Sequence, residues 1–292
     1  MQNGIITEEA KKIRRRKLDL LKRFVKKVFA PSNSPATYES NYDSKSNLYS
    51  KIDWSIYERE MTADEIACLR AFNRVSFLLP SKNFEELIAA YESDVNEMFP
   101  KNMKELMKYV DYTGGSLGEL GLYAVHEKLV FGYEKINIDD KSYEKIIHVG
   151  REIGKFIQLI NFARDIVADS IELKRCYIPV EFLENPDKEL ELLIEKQDPW
   201  AIGEQKLRKY ALKLIDHAEN LSKGKIEYNA LQKDIRFAFY AYFSLYYKFG
   251  EAIKMNERYV YKAKLSKFTI LWILIKILVL KRIFGSSTFE LQ

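Results

Sequence analysis

Apolar residues recur at three- and four-residue spacing along most of the chain, which predicts α-helices over residues 7–29, 63–77, 83–98, 103–127, 142–173, 203–223, 230–254 and 263–284. One of these inverts the usual amphipathic arrangement. Over residues 154–179, GKFIQLINFARDIVADSIELKRCYIP, almost every position is apolar except a narrow line. At about 100° per residue, Gln158, Asn161, Asp165 and Asp169 fall within roughly 80° of one another. Arg151 and Glu172 lie near the same line. Ile153, Phe156, Ile157, Leu159, Ile160, Phe162, Ile166 and Val167 cover the flanks and back. A surface helix has a broad polar face and one apolar stripe, so this helix belongs in an interior with its polar line facing a cavity.

Two carboxylates spaced i,i+4 repel by a few tenths of a kcal/mol unless neutralised. Such a pair can share Mg²⁺, which binds through one or two carboxylates, retained waters and substrate phosphates. The competing explanation, a solvated surface pair, is the commoner origin of Asp-x-x-x-Asp on a helix, but here the apolar flanks oppose it.

A second polar line runs along residues 109–126, YVDYTGGSLGELGLYAVH, where Tyr112, Ser116, Glu119 and Tyr123 share a face. Gly114, Gly115, Gly118 and Gly121 each cost about 1 kcal/mol inside a helix relative to Ala. Close approach of a neighbouring helix or of a ligand explains them. His126, His148 and His217 show no ligand spacing.

The chain has 292 residues, 47% hydrophobic, with only 12 Gly and 7 Pro, which suits long helices rather than strands and turns. Cys68 and Cys176 give neither a disulfide framework nor a metal spacing, so an intracellular, reducing setting is expected. The net charge of +5 is concentrated at the two ends. The basic segment 8–29 carries Ile13, Leu18, Leu21, Phe24, Val25 and Val28 on one face, a pattern that lies on an anionic membrane or docks on a core. No aromatic-interleaved basic patch supports nucleic acid, and no signal-peptide pattern opens the sequence. Residues 268–280, FTILWILIKILVL, are too few for a spanning helix and are interrupted by Lys276. A final core helix or a membrane-dipping helix fits them better, and a core helix with some interfacial contact is the expectation.

The motif Gln158-x-x-Asn161-x-x-Arg164-Asp165-x-x-x-Asp169, followed by Arg175-x-Tyr177-x-Pro179, resembles the second aspartate-rich segment of the squalene/phytoene synthases, an all-α group with the isoprenoid synthase fold. Tyr109, Tyr112, Gly114, Gly115, Ser116 and Gly118 are similar to that family's Tyr- and Gly-rich helix. FEELIAAYESD, ending at Asp94, resembles a short upstream helix, and LYYKFGEAI resembles the segment with a pocket tyrosine, here Tyr246. The resemblance covers residues 54 to the C-terminus. It implies one all-α helical domain around a central apolar cavity over residues 52–285, preceded by a basic helix (1–30) and a linker (31–51) and followed by a tail (286–292). The linker lacks the family's first aspartate-rich motif; Glu39 and Asp43 are its i,i+4 acidic residues.

The same resemblance implies Mg²⁺-dependent head-to-head condensation of two C15 or C20 prenyl diphosphates to a squalene- or phytoene-type isoprenoid. In that scheme Asp165 and Asp169 bind Mg²⁺ (or Mn²⁺), and Tyr112, Asp165, Asp169 and Tyr246 are catalytic. Gln158, Asn161, Arg164, Arg175, Tyr177 and Asp94 bind substrate, and NADPH enters only for a squalene-type product. The expected partners are prenyl diphosphates and a membrane surface, without nucleic acid, for a cytoplasmic, peripherally membrane-associated monomer or weak dimer. The alternative is a catalytically inactive relative with a membrane-associated binding or assembly role.

Overall fold

The computed structural model describes residues 8–30, 52–76, 79–126, 140–223, 231 and 233–284, and among them there are helices and no strands. Glu39 and Asp43 lie outside the described residues. Contacts gather the chain into two compact units, Met1–Asn96 and Glu97–Gln292.

The first unit contains α1 (Glu8–Val28), α2 (Ser55–Glu58), α3 (Ala63–Val75) and α4 (Ser81–Val95). Its core is aromatic. Phe24 of α1, only 1% exposed, has the rings of Trp54, Tyr57 and Phe72 around it at 6.1, 5.8 and 6.0 Å. Phe72 in turn meets Phe84 edge-on at 4.7 Å. Of the two uses expected for the apolar face of α1, docking is the one adopted. Leu18, Leu20, Phe24 and Val25 are buried, while the basic residues of the opposite face stay in solvent. A capping box fixes the start of α3: Thr62 and Glu65 exchange side chain-to-backbone hydrogen bonds.

The second unit comprises α5 (Met103–Val110), α6 (Ser116–His126), α7 (Asp140–Ala168), α8 (Pro186–Leu190), α9 (Glu204–Ser222), α10 (Lys233–Met255) and α11 (Lys267–Phe284). The run expected as one helix over 103–127 is divided by a π-helical turn at Asp111–Gly115, and α7 ends in another at Asp169–Leu173. α7 lies at the centre, touching α5, α6, α9 and α10. Val149, Ile153, Phe156, Leu159, Ile160, Ala163 and Val167 are essentially sealed from solvent. α9 answers with Leu207, Tyr210, Ala211, Leu214, Ile215 and Ala218, an i, i+3, i+4 stripe that is likewise sealed.

On the other side of α7 the contact is between backbones. A Cβ placed on Gly154 would sit 1.9 Å from the Gly114 carbonyl oxygen, and one on Gly118 would sit 2.0 Å from that of Gly150. Of the two explanations for the glycines near Tyr112, helix-on-helix approach therefore holds at 114 and 118. Gly121 faces open space. Gly154→Ala should cost at least the ~3 kcal/mol at the upper end of ordinary overpacking, because rigid backbone must move. Gly121→Ala should leave stability unchanged or raise it by up to about 1 kcal/mol. Thermal unfolding of the two variants checks both.

Candidate active site

The polar line of α7 starts in an ion-pair network. Arg151 donates through Nε to Asp111 Oδ1 at 2.8 Å and through Nη2 to Oδ2 at 2.7 Å, and through Nη1 to Glu119 Oε2 at 2.8 Å. Lys155 pairs with Glu152 and stands 3.7 Å from Asp111. The two polar lines seen in the sequence thus meet across the glycine contact. Burial, with Glu119 nearby, raises the Tyr123 hydroxyl above its ordinary range.

One turn beyond Gln158, whose Cβ lies against Gly114, comes Asn161. Its Oδ1 is buried and, among the described residues, has no hydrogen-bond partner. A buried polar atom without a partner costs roughly 1–3 kcal/mol, so this oxygen is suited to a cation or a donor on a ligand.

Next come Arg164 and Asp165, neighbours in sequence that form a bidentate pair, Nε to Oδ1 at 2.8 Å and Nη2 to Oδ2 at 2.5 Å. The guanidinium also lies over the Phe249 ring at 5.1 Å and interacts with the Tyr246 hydroxyl. Tyr242 extends the chain. Its ring is 5.1 Å from that of Tyr246, and its hydroxyl is pushed up to about 12, chiefly by the hydrogen bond to Tyr246. Tyr242, Tyr246 and Phe249 occupy i, i+4 and i+7 of α10, a stripe that meets the cation of α7 with the Phe249 ring face and the Tyr246 hydroxyl.

Asp169 opens the π turn. Burial, reinforced by the negative charge of Asp165, raises its carboxyl from 3.8 to about 7, against a weaker pull from Lys262. The backbone N–H of Arg175 donates to the Asp169 carbonyl at 3.0 Å, after Lys174 has turned the chain with φ of 55°. Ser170 ties the turn to the Leu193 carbonyl at 2.6 Å. Asp169, Arg175, Cys176 and Tyr177 line a small cavity of about 10 Å³ with Phe162, Ile166, Ile178 and Leu193. Tyr177 stacks on Phe162 at 4.2 Å, and the Tyr109 and Tyr177 hydroxyls are 3.4 Å apart.

Asn161, Arg164, Asp165, Asp169 and Tyr246 therefore belong to one region, and Arg175 and Tyr177 border it. Tyr112 sits on the first π turn with the Lys108 ammonium 5.6 Å above its ring. Asp94 is on α4 in the first unit, where its charge helps raise the Tyr91 hydroxyl after burial.

Three residues were not anticipated: Tyr242, Phe249 and Tyr259. The first two were legible as an aromatic stripe next to Tyr246. Tyr259 had no such signal, lying in a connection. Its hydroxyl donates to the Ala163 carbonyl at 2.7 Å and accepts the Ile166 N–H at 3.2 Å, and burial raises its pKa strongly.

Mg²⁺ fits this donor set as a shared ion rather than as the occupant of an all-protein cage. Among the described residues no group of three His, Cys, Asp or Glu is placed to hold a metal. Asp169, only weakly compensated by Lys262 and Arg164, and Asn161, whose oxygen has no partner among the described residues, are the donors best placed to take a cation. Asp165 already accepts one hydrogen bond from Arg164 at each oxygen, which leaves each with a second lone pair.

The whole belongs to the all-α isoprenoid synthase fold. A crystal structure of a dehydrosqualene synthase in complex with ligand superposes with a TM-score of 0.54 at 16% identity, over 93% of this chain and 88% of that one. The squalene/phytoene synthase family model matches residues 6–269, so the chain is a member of the squalene/phytoene synthase family. It is similar to the bifunctional lycopene cyclase/phytoene synthases of Blakeslea trispora, 29% identical over 220 residues, and Phycomyces blakesleeanus, 28% identical over 209 residues. The matched segments take up 74% and 72% of this chain but only 32% and 31% of those proteins, so the chain spans about a third of their length.

Two variants probe the site's electrostatics. In the fold the neutral acid of Asp169 is favoured. Its contribution to stability is therefore full below about pH 4 and is lost as pH rises through about 7. In metal-free protein at pH 8, Asp169→Asn should be more stable than the parent by up to about 4 kcal/mol, with the difference vanishing near pH 4; denaturant melts at both pH values measure it. Tyr259→Phe should lose roughly 1–2 kcal/mol at both pH values alike.

Proposed function

We propose that the chain catalyses head-to-head condensation of two prenyl diphosphates, C15 or C20, to a squalene- or phytoene-type isoprenoid, with Mg²⁺-dependent release of diphosphate. The observation that carries this reading is the line Asn161–Asp165–Asp169 on an otherwise apolar buried helix, with the Asn161 oxygen unpartnered among the described residues and Asp169 only weakly compensated, in a chain of this family. When bound, Mg²⁺ supplies charge neutralisation and Lewis acidity at the leaving diphosphate.

The protein's own residues have distinct tasks. Asp169 and Asn161 would offer oxygens to the cation, with Asp165 beside them, and the planar guanidinium of Arg164 is suited to a diphosphate oxygen. Arg175 borders the same cavity and adds positive charge. Tyr246 accepts from the Arg164 guanidinium and from the Tyr242 hydroxyl, and so holds the arginine in place. The aromatic faces of α10 favour cationic carbon near them, and the apolar flanks of α7 keep water from a reactive allylic cation. NADPH takes part only for a squalene-type product.

Folded protein incubated with Mg²⁺ and farnesyl or geranylgeranyl diphosphate should release inorganic diphosphate, and Asp165→Ala and Asp169→Ala should each lower kcat by about 100-fold or more. Absence of release from well-folded protein sinks the proposal. One observation favours a second reading, a non-catalytic binding or assembly protein on this fold: Arg164 already neutralises Asp165 within the chain. That reading predicts no rise in melting temperature on adding Mg²⁺ with a prenyl diphosphate, and the condensation reading predicts a rise that Asp169→Ala removes.

A further inference from the structure

The connection between α10 and α11 is held against α7 by its own side chains. α11 does little of the holding: among its described side chains Ile273 is the only buried one, resting on Tyr240, Ala241 and Leu245 of α10. This overturns the expectation of a final core helix. Arg208 of α9 donates to the carbonyls of Lys254 and Asn256 at 2.7 and 2.6 Å, which fixes where the connection starts. Tyr259, 4% exposed, grips the backbone of α7 at Ala163 and Ile166. Two residues on, the Tyr261 hydroxyl donates to Glu172, just past Asp169 on the π turn. Ala263 is buried in the core of the second unit.

Lys262 thus lies between anchored neighbours, beside the acidic end of α7. Its side chain is exposed and makes no hydrogen bond or close ion pair among the described residues, yet its charge is the larger of the two attractions acting on Asp169. Other cations of α7 are spent at contact distance: Arg164 on Asp165, Arg151 on Asp111 and Glu119, Lys155 on Glu152. A lysine kept only to offset Asp169 would close to contact in the same way, as Lys254 does with Glu219 at 2.7 Å. Lys262 instead keeps its three donors unused next to oxygens suited to a cation. A flexible stem with a point charge at its tip suits a phosphate oxygen, and a backbone already fixed on both sides reduces the ordering that binding must pay for.

We propose that residues 259–263 form a strap that presents Lys262 to the diphosphate group of the substrate, where its ammonium donates to a phosphate oxygen. Lys262 is then a further substrate-binding residue, reaching the site from a connection and not from the aspartate helix. The assignment rests on the reading of this region as a prenyl diphosphate site.

Calorimetric titration of the full chain with inorganic diphosphate and Mg²⁺ tests it without turnover. Lys262→Met should weaken binding about tenfold, the loss of one charged hydrogen bond. Lys262→Arg should stay within about threefold of the parent, because the charge and a donor remain. Lys264→Met, which alters another exposed lysine of the connection, should bind as the parent does. In turnover, Lys262→Met should raise KM for farnesyl or geranylgeranyl diphosphate by a similar factor. Should Lys262→Met fail to fold by circular dichroism, Lys262→Gln carries the same comparison. Parent-like binding by a folded Lys262 variant overturns the proposal, and a lowered melting temperature beside it marks a lysine that only offsets Asp169. Equal weakening by Lys264→Met, or no diphosphate binding by the parent, overturns it as well. Lys262-dependent binding without product sinks the condensation reading alone, and turnover unaffected by Lys262→Met sinks this assignment alone.

Discussion

The approach of α6 and α7 to backbone distance is the constraint on which the second unit depends. Gly114 and Gly118 face Gly154 and Gly150 so closely that no side chain fits between them. Packed interiors are near their density limit, so a methyl group here cannot be absorbed by a rotamer change. It would push the helices apart along their length. The contact also places charges. Asp111 and Glu119 reach Arg151 only because the two backbones are this near, and the guanidinium between them offsets much of the cost of burying the carboxylates.

From that fixed edge, α7 delivers a graded series of polar groups along one line. Its first members are neutralised by partners within the protein, Arg151 by Asp111 and Glu119 and Lys155 by Glu152. Asn161 is left with an unused oxygen, Asp165 is held by an arginine next to it in sequence, and Asp169 is left nearly uncompensated. Buried polar groups are satisfied in most proteins. Here the unmet demand rises toward one end of one helix, which leaves oxygen acceptors there for a cation. Such a site gives up stability in the free protein for strength when loaded.

Much of this was legible in the sequence. The interior character of α7 follows from its inverted pattern of apolar and polar residues, and the all-α class from helical periodicity with few Gly and Pro. Asp165, Asp169 and Asn161 stood out because their spacing is the spacing of one helix face. What escaped was whatever depends on partners distant in sequence or on local departures from the α pitch. Tyr259 reaches α7 from 93 residues away, and no periodicity announces a tether from a connection. The same pattern of residues in α11 serves a core helix and a solvent-facing one, and only packing separates the two. The basic face of α1 was equally ambiguous until Phe24 was found inside an aromatic cluster.

The π turn at Asp169–Leu173 bears on how this end of the chain can evolve. A π turn accommodates one residue more than the α pitch would, so it behaves as an insertion tolerated within a helix. Removing a residue after Asp169 would restore the regular pitch, and a turn of α-helix one residue shorter sweeps about the same angle as the π turn. The carboxylate would keep its place, and Arg175 and Tyr177 would keep theirs. The length of this turn and the identities at 175 and 177 are therefore separable: a relative that loses the extra residue can hold its cation and its aromatic ring in the same places, with the aspartate line intact.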